Sequence, residues 1–187
     1  MPTLSAFMNV SIDGCFCDAK GDMNAFHTLH RDPEFQAFTE ENARGGGRLV
    51  FGRKTYDMMA GYWPSPMAKQ QNPVVAEQMN AREKFVISHK MKTADWANTT
   101  VLNGDLGSEV KRLKAAPGPD MVILGSGSIV SQLAAAKLLD GLQLVVNPII
   151  FGDGRKLMEG FDKILPWKLT RSCAFKNGAV FLDYAPA

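Results

Sequence analysis

From Leu4 to Ile12 the chain is apolar at most positions, and Asp13-Gly14 closes the run with a turn signal, which predicts a central first strand. A polar, glycine-containing stretch follows to about residue 31. Asp32-Pro33-Glu34 then has the order of a helix start, an acid that can cap followed by proline at the first helical position, with Phe35 and Phe38 on one side. Gly45-Gly46-Gly47 stops that helix. Arg48-Leu49-Val50-Phe51 reads as a short buried strand running into Gly52-Arg53-Lys54-Thr55, with a helix from Thr55 to about Ala60. The segment from Tyr62 to Asn80 carries prolines at 64, 66 and 73 and is read as a surface loop with a short helix.

Further strands are predicted at Lys84–Ser88, Thr100–Leu102 and the wholly apolar Met121–Leu124. Leu106, Val110 and Leu113 share a helical face that ends at Pro117-Gly118. After Gly125-Ser126-Gly127-Ser128 a second amphipathic helix runs from Ile129 to Leu139, and Leu142 to Ile150 forms another strand. Trp167–Phe175 and Ala179–Tyr184, separated by Lys176-Asn177-Gly178, form a C-terminal hairpin. Strands alternating with helices predict an α/β protein whose sheet is mostly parallel, with an antiparallel hairpin at its end. No repeat or long linker divides the 187 residues, so a single domain over 1–187 is expected.

Composition changes this picture little. At 45% apolar and 21% charged residues the chain is an ordinary globular one, and a net charge of +2 without a basic stripe argues against nucleic acid as a partner. No window approaches the run of about 18 apolar residues that a membrane helix needs, and the start at Met1-Pro2-Thr3-Leu4 has no basic-then-apolar leader. The three cysteines, Cys15, Cys17 and Cys173, form no paired framework, which fits reduced thiols in a cytoplasmic setting. Cys15 and Cys17 lack a second ligand pair at zinc spacing, so no metal is expected.

Two strand-to-helix turns are candidate anion sites, because helix N-termini present free backbone N–H groups and a positive dipole end. The first is Gly52-Arg53-Lys54-Thr55, where Thr55 is the candidate cap and two cations lie alongside; an ordinary capped surface helix is its plain alternative. The second is Gly125-Ser126-Gly127-Ser128 leading to Ile129, which lacks the third glycine of the dinucleotide fingerprint because position 130 is valine; a tight strand-to-helix connection with a serine cap is its plain alternative. Ser88-His89-Lys90 adds a hydroxyl, an imidazole and an ammonium at a third strand end, a set suited to a 2′-phosphate or simply to a solvated surface.

Those turns, in that order, together with Ser11-Ile12-Asp13-Gly14, carry a resemblance to a family. So do Leu49 to Tyr56 followed by Tyr62-Trp63-Pro64, Lys84 to Ser88, and Asn147-Pro148-Ile149-Ile150-Phe151-Gly152-Asp153-Gly154-Arg155. From about Leu4 to Tyr184 the chain resembles the dihydrofolate-reductase-like proteins, specifically the reductase domain of the bifunctional riboflavin-biosynthesis deaminase/reductase and its free-standing relatives. The resemblance implies a three-layer αβα fold and NADPH along the carboxyl edge of the sheet. It implies the pyrophosphate at the two helix N-termini, the 2′-phosphate near Arg53 and Ser88 to Lys90, and the nicotinamide near Ile12, Gly14 and Gly125 to Gly127. It implies that Asp13 orients the substrate or assists proton delivery, and that relatives pair as homodimers, here over strand 142–150 and the hairpin. Trp63 is a candidate wall of the substrate cavity, with packing as its alternative. No His-x-Glu with a Pro-Cys-x-x-Cys partner is present, so the zinc deaminase half is absent. The expected activity is hydride transfer to a C=O or C=N of a small polar heterocycle of pyrimidine or pterin type. A dihydrofolate or pterin reductase, and a nucleotide-binding sensor without turnover, stand as alternatives.

Overall fold

The computed structural model describes residues 1–29, 32–162 and 164–187; the end of the polar stretch expected up to residue 31 lies outside them. Eight strands form one twisted sheet: β1 (Leu4–Ser11), β3 (Arg48–Gly52), β4 (Lys84–Ile87), β5 (Thr99–Leu102), β6 (Met121–Leu124), β7 (Gly141–Asn147), β9 (Trp167–Ala174) and β10 (Val180–Pro186). Their order is β5-β4-β3-β6-β1-β7-β10-β9, the first six parallel and the last two antiparallel. A two-stranded ribbon, β2 (Cys15–Cys17) with β8 (Arg155–Lys156), stands beside it and was not foreseen. The helices are α1 (Asn24–Leu29), also unforeseen, α2 (Pro33–Arg44), α3 (Arg53–Tyr62), α4 (Pro66–Gln71), α5 (Pro73–Ala81), α6 (Leu106–Ala115) and α7 (Gly127–Ala135).

The alternation of side chains along each strand builds two cores. Val50 of β3, Phe85 of β4, Ile123 of β6 and Leu4, Ala6, Met8 and Val10 of β1 pack with Val110 and Leu113 of α6 and Val130 and Leu133 of α7. Their neighbours Leu49, Phe51 and Val86 turn the other way, onto Tyr56 of α3 and Val75 and Met79 of α5. On that second face Phe35 of α2 joins Val145, Phe175 and Phe181. The result is the three-layer αβα arrangement, with α6 and α7 on one side and α2, α3 and α5 on the other. Among the described residues no helix is long and apolar enough to cross a membrane.

Three expectations change. The stretch from Tyr62 to Asn80 is mostly helix, because Pro66 and Pro73 each take the first position of a helix, where a missing N–H is harmless. The helix after β3 begins at Arg53, so Thr55 lies inside its first turn and Gly52 is the N-cap. The strand after α7 is not an edge: β7 lies between β1 and β10, and the open edge on that side is β9.

Candidate active site at the carboxyl edge

Because β5, β4, β3, β6, β1 and β7 are parallel, the residues that follow each of them gather along one edge of the sheet. Gly52 of β3 pairs with Ile87 of β4, so Arg53 and Ser88 leave adjacent strands at the same level, about 5 Å apart by strand spacing. From β3 the chain passes to α3 on one face, and from the neighbouring β6 it passes to α7 on the other. Neighbouring connections that part in this way leave a crevice between them, the place where open α/β sheets take ligands.

Inside that crevice the two turns touch. The N–H of Gly52 donates to Ser126 Oγ at 2.9 Å, and Ser126 Oγ donates to Thr55 Oγ1 at 3.0 Å. A side chain at Gly125, where φ is +61°, would be left-handed and would press Thr55 Cγ2 at 3.2 Å. Ile129 is buried beneath: a Cβ on Gly52 would stand 3.0 Å from its Cδ1. The consequence is electrostatic. With its oxygen engaged across the crevice, Ser126 makes no capping bond to α7, and Gly52 has no side chain with which to cap α3. By contrast Asp32, Ser65 and Asp105 each accept from a first-turn N–H of α2, α4 and α6. Helix α5 also opens uncapped, but in the outer layer, where Asn72 donates to Tyr62 instead. So α3 and α7 meet at the crevice with open N-termini, and Arg53, Lys54, Gly127 and Ser128 supply N–H groups there.

The flanks are built less uniformly. Arg53 pairs with Asp57 at 3.2 Å, both side chains roughly half exposed, an i,i+4 contact worth little in water, while Lys54 is exposed. Ser88 is buried and its Oγ accepts from the N–H groups of Lys90 (3.2 Å) and Met91 (3.1 Å), so its oxygen shapes the turn. His89 Nδ1 donates to the carbonyl of Asn103 at 2.8 Å, fixing the ring and leaving Nε2 without a partner among the described residues; Lys90 is exposed.

On the other flank Ile12 follows β1 and is 62% exposed, and Gly14 turns the chain at φ +80°. Asp13 between them is a clamp. Its carboxylate accepts from Ser11 Oγ (2.5 Å), Phe151 N (3.2 Å) and Gly152 N (3.0 Å), which ties the β1–β2 turn to the loop after β7. The Ser11 hydroxyl, with the two backbone N–H groups assisting, holds the carboxyl down at about 2. It is therefore ionised at neutral pH. Cys15 and Cys17 are buried thiols pushed upward chiefly by desolvation, and no metal-binding group of His, Cys, Asp or Glu is found among the described residues.

Trp63 is the residue the structure removes. It caps the far end of α3, a helix about 15 Å long by its ten residues, so it lies toward the opposite edge of the sheet. There its Nε1 reaches Met59 Sδ at 3.0 Å and its carbonyl accepts from Asn80, just before β4. Packing, not a substrate wall, is its role. A residue not foreseen takes a place instead: a Cβ on Gly127 would stand 2.6 Å from the ring of Phe16, so that ring lies directly on the opening of α7.

A family model described as the RibD C-terminal domain matches residues 2–181. The chain belongs to that family. A Bacillus subtilis (strain 168) protein called YyaP, itself described as uncharacterized, is 24% identical over 73% of this chain and 72% of its own length. Among solved structures, a protein from Shewanella sp. PV-4 named for riboflavin biosynthesis superposes with a TM-score of 0.74 at 20% identity, covering 99% of both chains. A Thermotoga maritima diaminohydroxyphosphoribosylaminopyrimidine deaminase/5-amino-6-(5-phosphoribosylamino)uracil reductase gives 0.69 at 13% identity, over all of this chain and 57% of that one. A pyrimidine reductase-like protein from Corynebacterium diphtheriae gives 0.65 at 14%, over 100% and 92%. The fold is thus that of the RibD-type, dihydrofolate-reductase-like reductase domains, as the resemblance implied.

Proposed function

We propose that the protein is an NADPH-dependent reductase acting on a small polar heterocycle of pyrimidine type. The observation that carries this reading is the meeting of two uncapped helix N-termini, α3 and α7, in the crevice between β3 and β6. Glycines at 52 and 125 let the two turns close on each other, and a pyrophosphate answers both the free N–H groups and the converging dipoles. Arg53 and Lys54 beside Ser88, His89 and Lys90 offer cations and donors at one end of that crevice, which suits the 2′-phosphate that separates NADPH from NADH. Ile12 and Gly14 at the end of β1, with Gly125 to Ile129, form the other end, where a nicotinamide ring fits.

When bound, the cofactor supplies the hydride. The chain's part is to hold two rings in contact and keep water away, with Phe16 and Ile12 as apolar cover and Asp13 anchoring the two loops that frame the site. Membership of a family of reductase domains and the reductase named in the Thermotoga relative support the reading. The same proposal includes a homodimer and a site in the cytoplasm.

The test is a thermal shift. NADPH is expected to raise Tm with concentration, and NADH to do so more weakly; equal responses, or none, would sink the 2′-phosphate assignment. Turnover of dihydrofolate would reassign the substrate to the pterins. Binding without consumption of NADPH over a panel of carbonyl and imine substrates would make the protein a sensor.

A further inference from the structure

A polar cluster on the α2 face of the sheet takes no part in the nucleotide grip described above. Phe7, Asn9 and Ser11 of β1 turn onto that face, and β7 sets Val145 beside Asn9 and Asn147 beside Ser11. Asn147 is fully buried. Its Nδ2 donates to Val145 O (3.0 Å), Val10 O (3.2 Å) and Asn9 Oδ1 (3.2 Å), whereas its Oδ1 is buried with no partner among the described residues. The two backbone carbonyls can only accept, so they fix which end of the amide faces them, and the orphaned oxygen follows. Leaving a buried acceptor unpaired is costly, and what the arrangement secures in return is a fixed orientation of the amide.

What it holds is Asn9. With Asn9 Oδ1 accepting from Asn147, the Asn9 amide turns its NH₂ away from β7, and that NH₂ has no protein partner among the described residues. The side it faces is open. β6 ends at Leu124 opposite Phe7, so Asn9 stands beyond the end of β6 and beside the Gly125–Ser126 turn, and it is partly exposed. Two residues before it on the same face, Phe7 lies against Phe181 at 27° and 6.5 Å, and Phe38 packs on that ring at 4.9 Å. A fixed amide donor thus stands at the rim of an aromatic wall, next to the crevice.

We propose that Asn9 is the specificity contact for the substrate: its Nδ2 donates to the carbonyl oxygen of a planar lactam heterocycle, and Asn147 is the positioning residue that fixes it. This rests on reading the carboxyl edge as a reductase site. A donor so fixed favours a ring carbonyl and disfavours an amino group at the same place, because two donors would then face each other.

The experiment uses the full chain saturated with NADP⁺, so that nothing turns over, and two probes that differ at one substituent, 2,5,6-triaminopyrimidin-4-one and 2,4,5,6-tetraaminopyrimidine, titrated by calorimetry. The pyrimidinone is expected to bind at least about tenfold more tightly and to shift the Asn9 side-chain amide resonances. Asn9→Asp keeps the shape and the bond from Asn147 but presents an acceptor, so the preference inverts. Asn147→Ala lets the Asn9 amide turn and narrows the preference several-fold. In both variants the affinity for NADPH is expected to stay as in the parent. No binding of the pyrimidinone, equal binding of both probes, or a preference that Asn9→Asp leaves unchanged would overturn the assignment. A parent protein that fails to bind NADPH would instead overturn the reductase reading.

Discussion

Arg53 and Asp13 mark the two ends of the candidate site, and each has a part that one substitution separates from its neighbours. Among the described residues Arg53 is engaged only by the exposed Asp57, so an incoming phosphate displaces a weak contact. Arg53→Ala is expected to weaken NADPH binding by about 1–3 kcal/mol, the size of one charge-assisted bond, and to leave NADH nearly unchanged. Calorimetric titration of both nucleotides checks this, and an equal loss for the two would show that Arg53 does not read the 2′-phosphate. Asp13 differs, because its carboxylate is held by bonds from Ser11, Phe151 and Gly152. Its folded carboxyl titrates at about 2, below the usual 3.8, so its stabilising bonds are complete above pH 4 and are lost as the pH falls toward 2. Urea midpoints of the parent and Asp13→Asn should therefore differ by a constant amount from pH 5 to 8 and converge between 4 and 2. In the same variant the rate should show no lost acid limb between pH 5 and 8, since the carboxylate is ionised throughout that range.

At the level of elements, what could be read in the sequence was whatever repeats at short range. The parallel strands, the start of α2, the face of α6 and the C-terminal hairpin followed from apolar runs, the Asp32 cap, the spacing of Leu106, Val110 and Leu113, and Asn177-Gly178. The three turns of the candidate site were legible for the same reason, since glycine and serine punctuate strand ends. Their contact was not, because Gly52 and Ser126 are 74 residues apart and only the strand order brings them together. The prolines at 66 and 73 misled, as loop breakers and helix openers share one residue type. Asn9 and Phe16 went unread because one was a polar break in an apolar strand and the other belonged to β2, whose pairing with β8 joins residues some 140 apart by the Cys15 to Lys156 register. The ribbon and α7 make a closed contact that can be measured. Gly127→Ala would put a methyl group into the Phe16 ring and is expected to destabilise the protein by about 1–3 kcal/mol. Adding Phe16→Ala should return part of that loss, and a double-mutant cycle with no coupling would mean that the ring does not rest on α7.

For the molecule as a whole the open question is what becomes of the sheet's two margins. β5 has four residues, too short to template much pairing, but β9 has eight, nearly all exposed, with Leu169 at 48% and the partly buried Trp167 on the same side of the strand. Such an edge presents a row of unpaired N–H and C=O groups beside apolar side chains, and chains escape aggregation there by covering it or by charging it. Lys168 and Arg171 charge it in part. They repel an identical strand in direct register yet leave Leu169 wet, so a second copy docked by its apolar side chains fits better than open-ended strand addition. The homodimer proposed above is accordingly expected to form over β9 and not over β7, which is internal. Sedimentation equilibrium should give twice the 20.5 kDa chain mass at micromolar concentration. Leu169→Lys should return the single-chain mass while leaving NADPH binding intact, because β9 lies three strands away from β1 and farther still from β3 and β6. A parent chain that sediments as one copy at every concentration would remove the dimer and leave the active-site proposal as it stands, since every residue invoked for the crevice comes from a single chain.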